Sequence, residues 1–61
     1  MTVDEIKKVN IDDLLLRFEN LSAQKTQGYS TGLQFFIDTV NNQVIPEMNM
    51  IVGEIRSRVK N

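Results

Sequence analysis

Residues 33–60, LQFFIDTVNNQVIPEMNMIVGEIRSRVK, carry the clearest structural pattern in the chain. Within this stretch an apolar residue recurs at steps of 4, 3, 4, 4, 3, 4 and 4 positions, which averages close to the 3.6-residue period of an α-helix. The spacing predicts a long amphipathic helix over about residues 32–60. Its apolar stripe, which we predict to be an oligomer seam, consists of Leu33, Ile37, Val40, Val44, Met48, Ile51, Ile55 and Val59.

Pro46 lies in the middle of this stripe. It has no amide hydrogen to donate to the carbonyl of Asn42, and its ring crowds the preceding turn. The helix therefore either kinks at the proline or breaks into two helices. Because the stripe keeps its phase across Pro46, the pattern favours a single kinked helix.

A shorter amphipathic helix is predicted upstream, over about residues 10–27, with Asn10 as its N-cap. Gly28 is predicted to close this helix in a left-handed conformation. Thr31 is then the expected N-cap of the second helix, with Gln34 at the capping-box position. The apolar positions of the first helix are Ile11, Leu14, Leu15, Phe18 and Leu21.

The first nine residues contain a separate helix signal, because Thr2 and Glu5 have the spacing of a capping box. Residues 1–9 are predicted to be either a frayed first turn or a short separate helix. The chain of 61 residues has room for one domain. The fold class predicted for 1–61 is all-α, a single helical hairpin.

The two predicted helices differ in length. At about 1.5 Å per residue, the second would be roughly 43 Å long and the first about 27 Å. The seam from Ile51 onward must therefore meet either the N-terminal segment around Val3 and Ile6 or another chain. A chain this short is marginally stable, and without cysteine or histidine it lacks disulfides and the usual metal ligands. We therefore expect a homo-oligomeric helical bundle, with a homodimeric four-helix bundle as the main expectation.

The composition argues against catalysis. Acid–base and nucleophilic mechanisms most often use histidine or cysteine, and the chain has neither. Asp12 and Asp13 are explained by the dipole at the start of a helix. We expect no enzymatic activity, no cofactor and no metal. The N-terminus has no apolar run of a signal peptide or membrane span, which predicts a cytoplasmic protein.

Protein binding is the function that remains. On a helical wheel Phe35 falls opposite the apolar stripe, with Phe36 and Tyr29 nearby, and Met50 also lies outside the stripe. Aromatic side chains dominate interface energies, so these four residues are the predicted contacts with a protein partner. One alternative is a dimeric nucleic-acid binder that uses the basic C-terminal tip. Its residues would be Arg56, Arg58 and Lys60, although the net charge of −1 gives no long-range attraction to nucleic acid. A second alternative is a purely structural oligomerisation unit.

Overall fold

The structure, a computed structural model, describes residues 1–59, and every regular element in that range is helical. The all-α prediction is therefore confirmed. Lys60, which falls in the predicted second helix, lies outside the described residues. The elements in chain order are α1 (Val3–Lys8), α2 (Ile11–Ser30), α3 (Gln34–Thr39), a π-helical segment (Val40–Val44) and α4 (Ile45–Val59).

Both N-terminal helix signals are used, one by each of two consecutive helices. The amide of Glu5 donates to Oγ1 of Thr2 over 3.3 Å, and the amide of Thr2 donates to Oε1 of Glu5 over 3.0 Å. Val9 is extended and ends α1. The side chain of Asn10 then accepts from the amide of Asp13 over 2.9 Å and begins α2. Residues 1–9 thus contain the short separate helix, the second of the two predicted outcomes.

The predicted end of the first helix was wrong. Helix α2 continues through Gly28 to Ser30, and the left-handed residue is Gly32, with φ of 67°. The N-cap position of α3 is held by Leu33, whose side chain cannot accept a hydrogen bond, so the predicted cap at Thr31 was also wrong. The hydroxyl of Thr31 instead donates to the carbonyl of Gly28 and accepts from the amide of Leu33.

Gly28 has a packing role instead of a capping role. It is buried inside α2, and a Cβ atom built on it would overlap Cγ2 of Val40. The missing side chain therefore lets the π segment approach the backbone of α2 closely. Sequence alone could not separate this role from a cap, because glycine serves both.

The chain stays helical through Pro46. Val40 and Ile45, at the two ends of the π turn, both have right-handed helical dihedral angles, and the amide of Ile45 donates to the carbonyl of Val40, five residues back. A π turn is wider than an α turn, and it is a common way to absorb a disturbance of the hydrogen-bond ladder. The prediction of a single kinked helix over about residues 32–60 agrees with this backbone in that the helix does not break at Pro46, although it begins at Gln34; the backbone accommodates the proline with a π turn placed just before it.

The core lies between α2 and the helical segment 34–59, which returns along it. Near the turn Gly28 contacts Val40, and further along Arg17 contacts Glu47. Helix α1 packs on α4, and Ile6 is completely buried there, where part of the long segment extends beyond α2. The molecule measures 41 × 17 × 17 Å. The buried hydrophobic residues of the described range are Ile6, Leu14, Leu21, Val40, Val44 and Ile51.

The two helical glycines allow a paired test of this packing. Gly28→Ala is expected to lower the free energy of unfolding by about 1–3 kcal/mol, because overpacking against Val40 exceeds the gain in helix propensity. Gly53→Ala is expected to raise it by roughly 0.5–1 kcal/mol, because no atom lies within 4 Å of the added Cβ. Urea denaturation followed by circular dichroism measures both changes. Shifts of the same sign would contradict the close approach at Gly28.

Candidate protein-interaction surface

The pair formed by α2 and α4 has two long sides of different character. At about 100° per residue, Arg17 and Gln24 lie on one flank of the buried line through Leu14 and Leu21, and Ile11 and Leu15 lie on the other. Helix α1 covers part of the first flank, which we name the α1 side. The second flank carries no element of the described chain, and we name it the open face.

A buried carboxylate is the main polar feature of the α1 side. Glu47 is 7% exposed, and its Oε1 accepts from the amino-terminal ammonium group of Met1 over 2.6 Å. The guanidinium of Arg17 donates to Oε2 over 3.0 Å and 3.3 Å. Burial raises the pKa of the Glu47 carboxyl, but hydrogen bonds from the amino terminus and from Arg17 outweigh it, so this pKa lies below its usual value of 4.5. The carboxylate thereby ties the N-terminus and α2 to α4.

A second polar contact fastens α1 to α4. Nη2 of Arg58 donates to the carbonyls of Ile6 and Lys7 over 3.1 Å and 3.2 Å, and its Nε donates to Glu54 over 2.9 Å. These carbonyls belong to the last turn of α1, where the helix supplies no amide four residues further on to donate to them. Arg58 was predicted as part of a basic nucleic-acid tip, but its guanidinium is engaged within the fold. Arg56 is exposed, and Lys60 lies outside the described residues.

A groove continues the α1 side towards the turn between α2 and α3. Phe36, Val40 and Val44 form its apolar floor, and its volume is about 470 Å³. Its rim is made of uncharged polar side chains, among them Gln24 and Gln27. Phe36, one of the predicted contact residues, therefore lies half-exposed over a groove and not on a flat helix surface.

The other predicted contact residues do not form one patch. Phe35 is 74% exposed, and its ring meets that of Phe36 edge to face at 5.5 Å. Tyr29 lies on the open face, where its hydroxyl donates to Oδ1 of Asn41 over 2.6 Å. Met50 packs partly against the core beside α1. The structure thus brings Phe35 and Phe36 together and separates them from Tyr29 and Met50.

The open face carries several apolar residues of both helices. On α2 its members are the exposed Ile11, the 47% exposed Leu15, the half-buried Phe18 and, towards the turn, Tyr29. The sequence analysis grouped Ile11 and Leu15 with the other apolar positions of the first helix. Periodicity identifies the apolar face of a helix, but it does not show how much of that face another helix covers. The α4 members of the open face are Ile45, Met48, Val52 and Val59.

Sequence reasoning also missed the polar contacts of Glu47, Arg17 and Arg58. These residues lie beside the apolar stripe, where charged side chains are normally solvated. A buried carboxylate gives no signal in the sequence, because its partners are distant along the chain. Within residues 1–59 no three acidic side chains come together as a possible metal site, and none of the described helices is long and apolar enough to span a membrane.

The Glu47 contacts predict a pH-dependent stability. Since the folded pKa of Glu47 is lowered, its contribution is fully present above pH 4.5 and is lost as the pH falls through the folded value. Glu47→Gln should lower the free energy of unfolding at pH 7 by about 1–2 kcal/mol, a discounted figure because the Arg17 side chain is 43% exposed. It should also flatten the loss of stability between pH 5 and pH 3. Thermal melts over this pH range measure both effects, and the exposed Asp38→Asn is the control.

A Glu47→Gln variant that loses stability in acid as much as the native chain does would refute the role given to the Glu47 carboxylate.

The exposure of Phe35 predicts a separation of binding from folding. Phe35→Ala is expected to weaken association with a partner or with another copy more than it weakens folding, because the ring is mostly outside the core. The buried Leu21→Ala is the contrasting variant, and it should lower the free energy of unfolding by about 2–5 kcal/mol. Thermal melts and co-purification with each variant as bait give the comparison. A lowered melting temperature with unchanged complex formation would contradict the prediction for Phe35.

Comparison of the chain with protein-family models, with curated proteins and with solved structures finds no match in any of the three.

Proposed function

We propose that this protein is a non-enzymatic protein-interaction module, an adaptor or assembly protein that pairs with a second copy through its open face. The observation that carries the proposal is the open face itself, an apolar surface that runs along two packed helices. Large exposed apolar patches of this kind mark interaction sites in proteins that fold in water. Pairing two helical hairpins through their open faces forms a homodimeric four-helix bundle.

The size of the surface supports this proposal. The chain exposes 4476 Å², about a tenth more than the roughly 4,000 Å² expected for a compact protein of 7.0 kDa. A rectangle of 41 Å by 17 Å covers about 700 Å², close to the roughly 800 Å² that each partner buries in a stable complex. The open face is therefore large enough for the contact that a stable dimer needs.

The proposal gives the two sides of the molecule different roles, self-association for the open face and partner binding for the aromatic pair at the turn end. The second copy covers the open face, whereas the exposed Phe35 and its neighbour Phe36 lie towards the α1 side at the turn end. A dimer would therefore present two aromatic tips for a further protein partner. The guanidinium of Arg58 donates to the carbonyls of α1, so it is less available to contact phosphate groups. This contact counts against the alternative of a nucleic-acid binder with a basic C-terminal tip.

Two adjacent leucines on α2 test the proposal. Leu15→Glu places a charge on the open face and is expected to raise the Kd of self-association at least roughly 30-fold, since it would bury an unpaired carboxylate. Leu16→Glu is the matched control, because Leu16 is 56% exposed and lies about 100° further round the helix, off the open face. Light scattering over a dilution series gives the mass of each species. A native chain that stays monomeric at all concentrations, or equal loss in both variants, would refute the proposal.

A further inference from the structure

Charged side chains of opposite sign lie on the two outer edges of the open face at the end where α2 begins. Asp12 and Glu19 lie along the edge of α2, beyond Leu15 on the helical wheel, and Arg56 lies on the edge of α4, beyond Val52. None of these three side chains forms an ion pair within residues 1–59. Nearer the turn, the edge of the long segment carries the exposed Asp38, so the opposition of charge is local to Asp12 and Arg56.

We propose that the second copy packs on the open face with its two-fold axis parallel to the helices, so that α2 of each chain covers α4 of the other. This inference rests on the proposed function and specifies its geometry. In this arrangement the α2 edge of each chain lies on the α4 edge of its partner. Asp12 then pairs with Arg56 of the partner subunit, once at each edge of the bundle.

The heights of these residues along the bundle agree with the pairing. Leu14 and Ile51 are both fully buried, and Arg17 contacts Glu47, which places Asp12 level with about residue 53 of α4. A parallel two-fold axis preserves height, so Arg56 of the partner subunit is offset from Asp12 by only about one helical turn, roughly 5 Å, along the bundle axis. Side chains of a helix lean towards its N-terminus, and in antiparallel helices this brings the two groups towards each other.

The other face-to-face symmetry is disfavoured by the same charges. If the two-fold axis ran across the helices, α2 would lie on α2 and α4 on α4. A crossed axis also reverses height along the bundle, so Asp12 of one chain and Arg56 of the other could not pair. The Asp12–Arg56 contact therefore favours the parallel axis over the crossed one.

Charge reversal tests the arrangement. Asp12→Arg and Arg56→Asp should each weaken self-association by about 5- to 20-fold, since each replaces two attractive edge pairs with two repulsive ones. The double variant should restore the native Kd. Asp13→Arg is the matched control, because Asp13 lies in the same first turn of α2 but points away from the open face. Sedimentation equilibrium at low salt gives the Kd values, and circular dichroism confirms that each variant is folded.

Mixing the two single variants is the sharper experiment. In a heterodimer of the Asp12→Arg chain with the Arg56→Asp chain, both edge pairs join opposite charges, so the mixture should form heterodimers in preference to either homodimer. With a crossed axis, Asp12 and Arg56 of the two chains would not meet, so both single variants would associate as the native chain does. That result, no preference on mixing, or a double variant that fails to recover would overturn the inference. A native chain that is monomeric throughout would overturn the proposed function itself, and the two failures are thereby distinguished.

Discussion

Pro46 is the constraint on which the rest of the structure depends. It cannot donate a backbone hydrogen bond, and its ring does not fit behind an ordinary α turn. The π segment before it widens the turn, and both Val40 and Val44 still face the core four residues apart. The chain therefore remains helical from residue 34 to residue 59, about 38 Å at the rise of an α-helix. A segment of this length cannot be covered by α2 alone.

The two sides of the part of α4 that extends beyond α2 differ in what covers them. On one side α1 packs against α4, held by the buried Ile6, by the carbonyl contacts of Arg58 and by the carboxylate of Glu47. These polar contacts are geometrically specific, so they position a helix of only six residues that could not be stable by itself. On the other side no element of the described chain covers the apolar residues. This difference between the two sides is the basis for proposing the uncovered side as the dimer interface.

The proposed dimer would couple folding to association. Six buried hydrophobic residues within residues 1–59 make a small core, and proteins of 61 residues are marginally stable. A partner that binds only the folded chain raises its stability by mass action. In the proposed dimer, the open face would therefore contribute both to function and to folding, whereas the aromatic pair at the turn would contribute mainly to recognition.

The helical class, the starts of α1 and α2 at their capping residues, and the apolar periodicity of the long segment could all be predicted from the amino-acid sequence. These are local properties, set by residues within a few positions of each other. Tertiary structure decided the role of Gly28, the burial of Glu47 and which apolar residues stay exposed. Gly28 meets Val40, Glu47 meets Arg17, and the exposure of Leu15 depends on where α1 packs. Each outcome depends on contacts between residues far apart in the chain, and periodicity gives the face of a helix without showing which neighbour covers it.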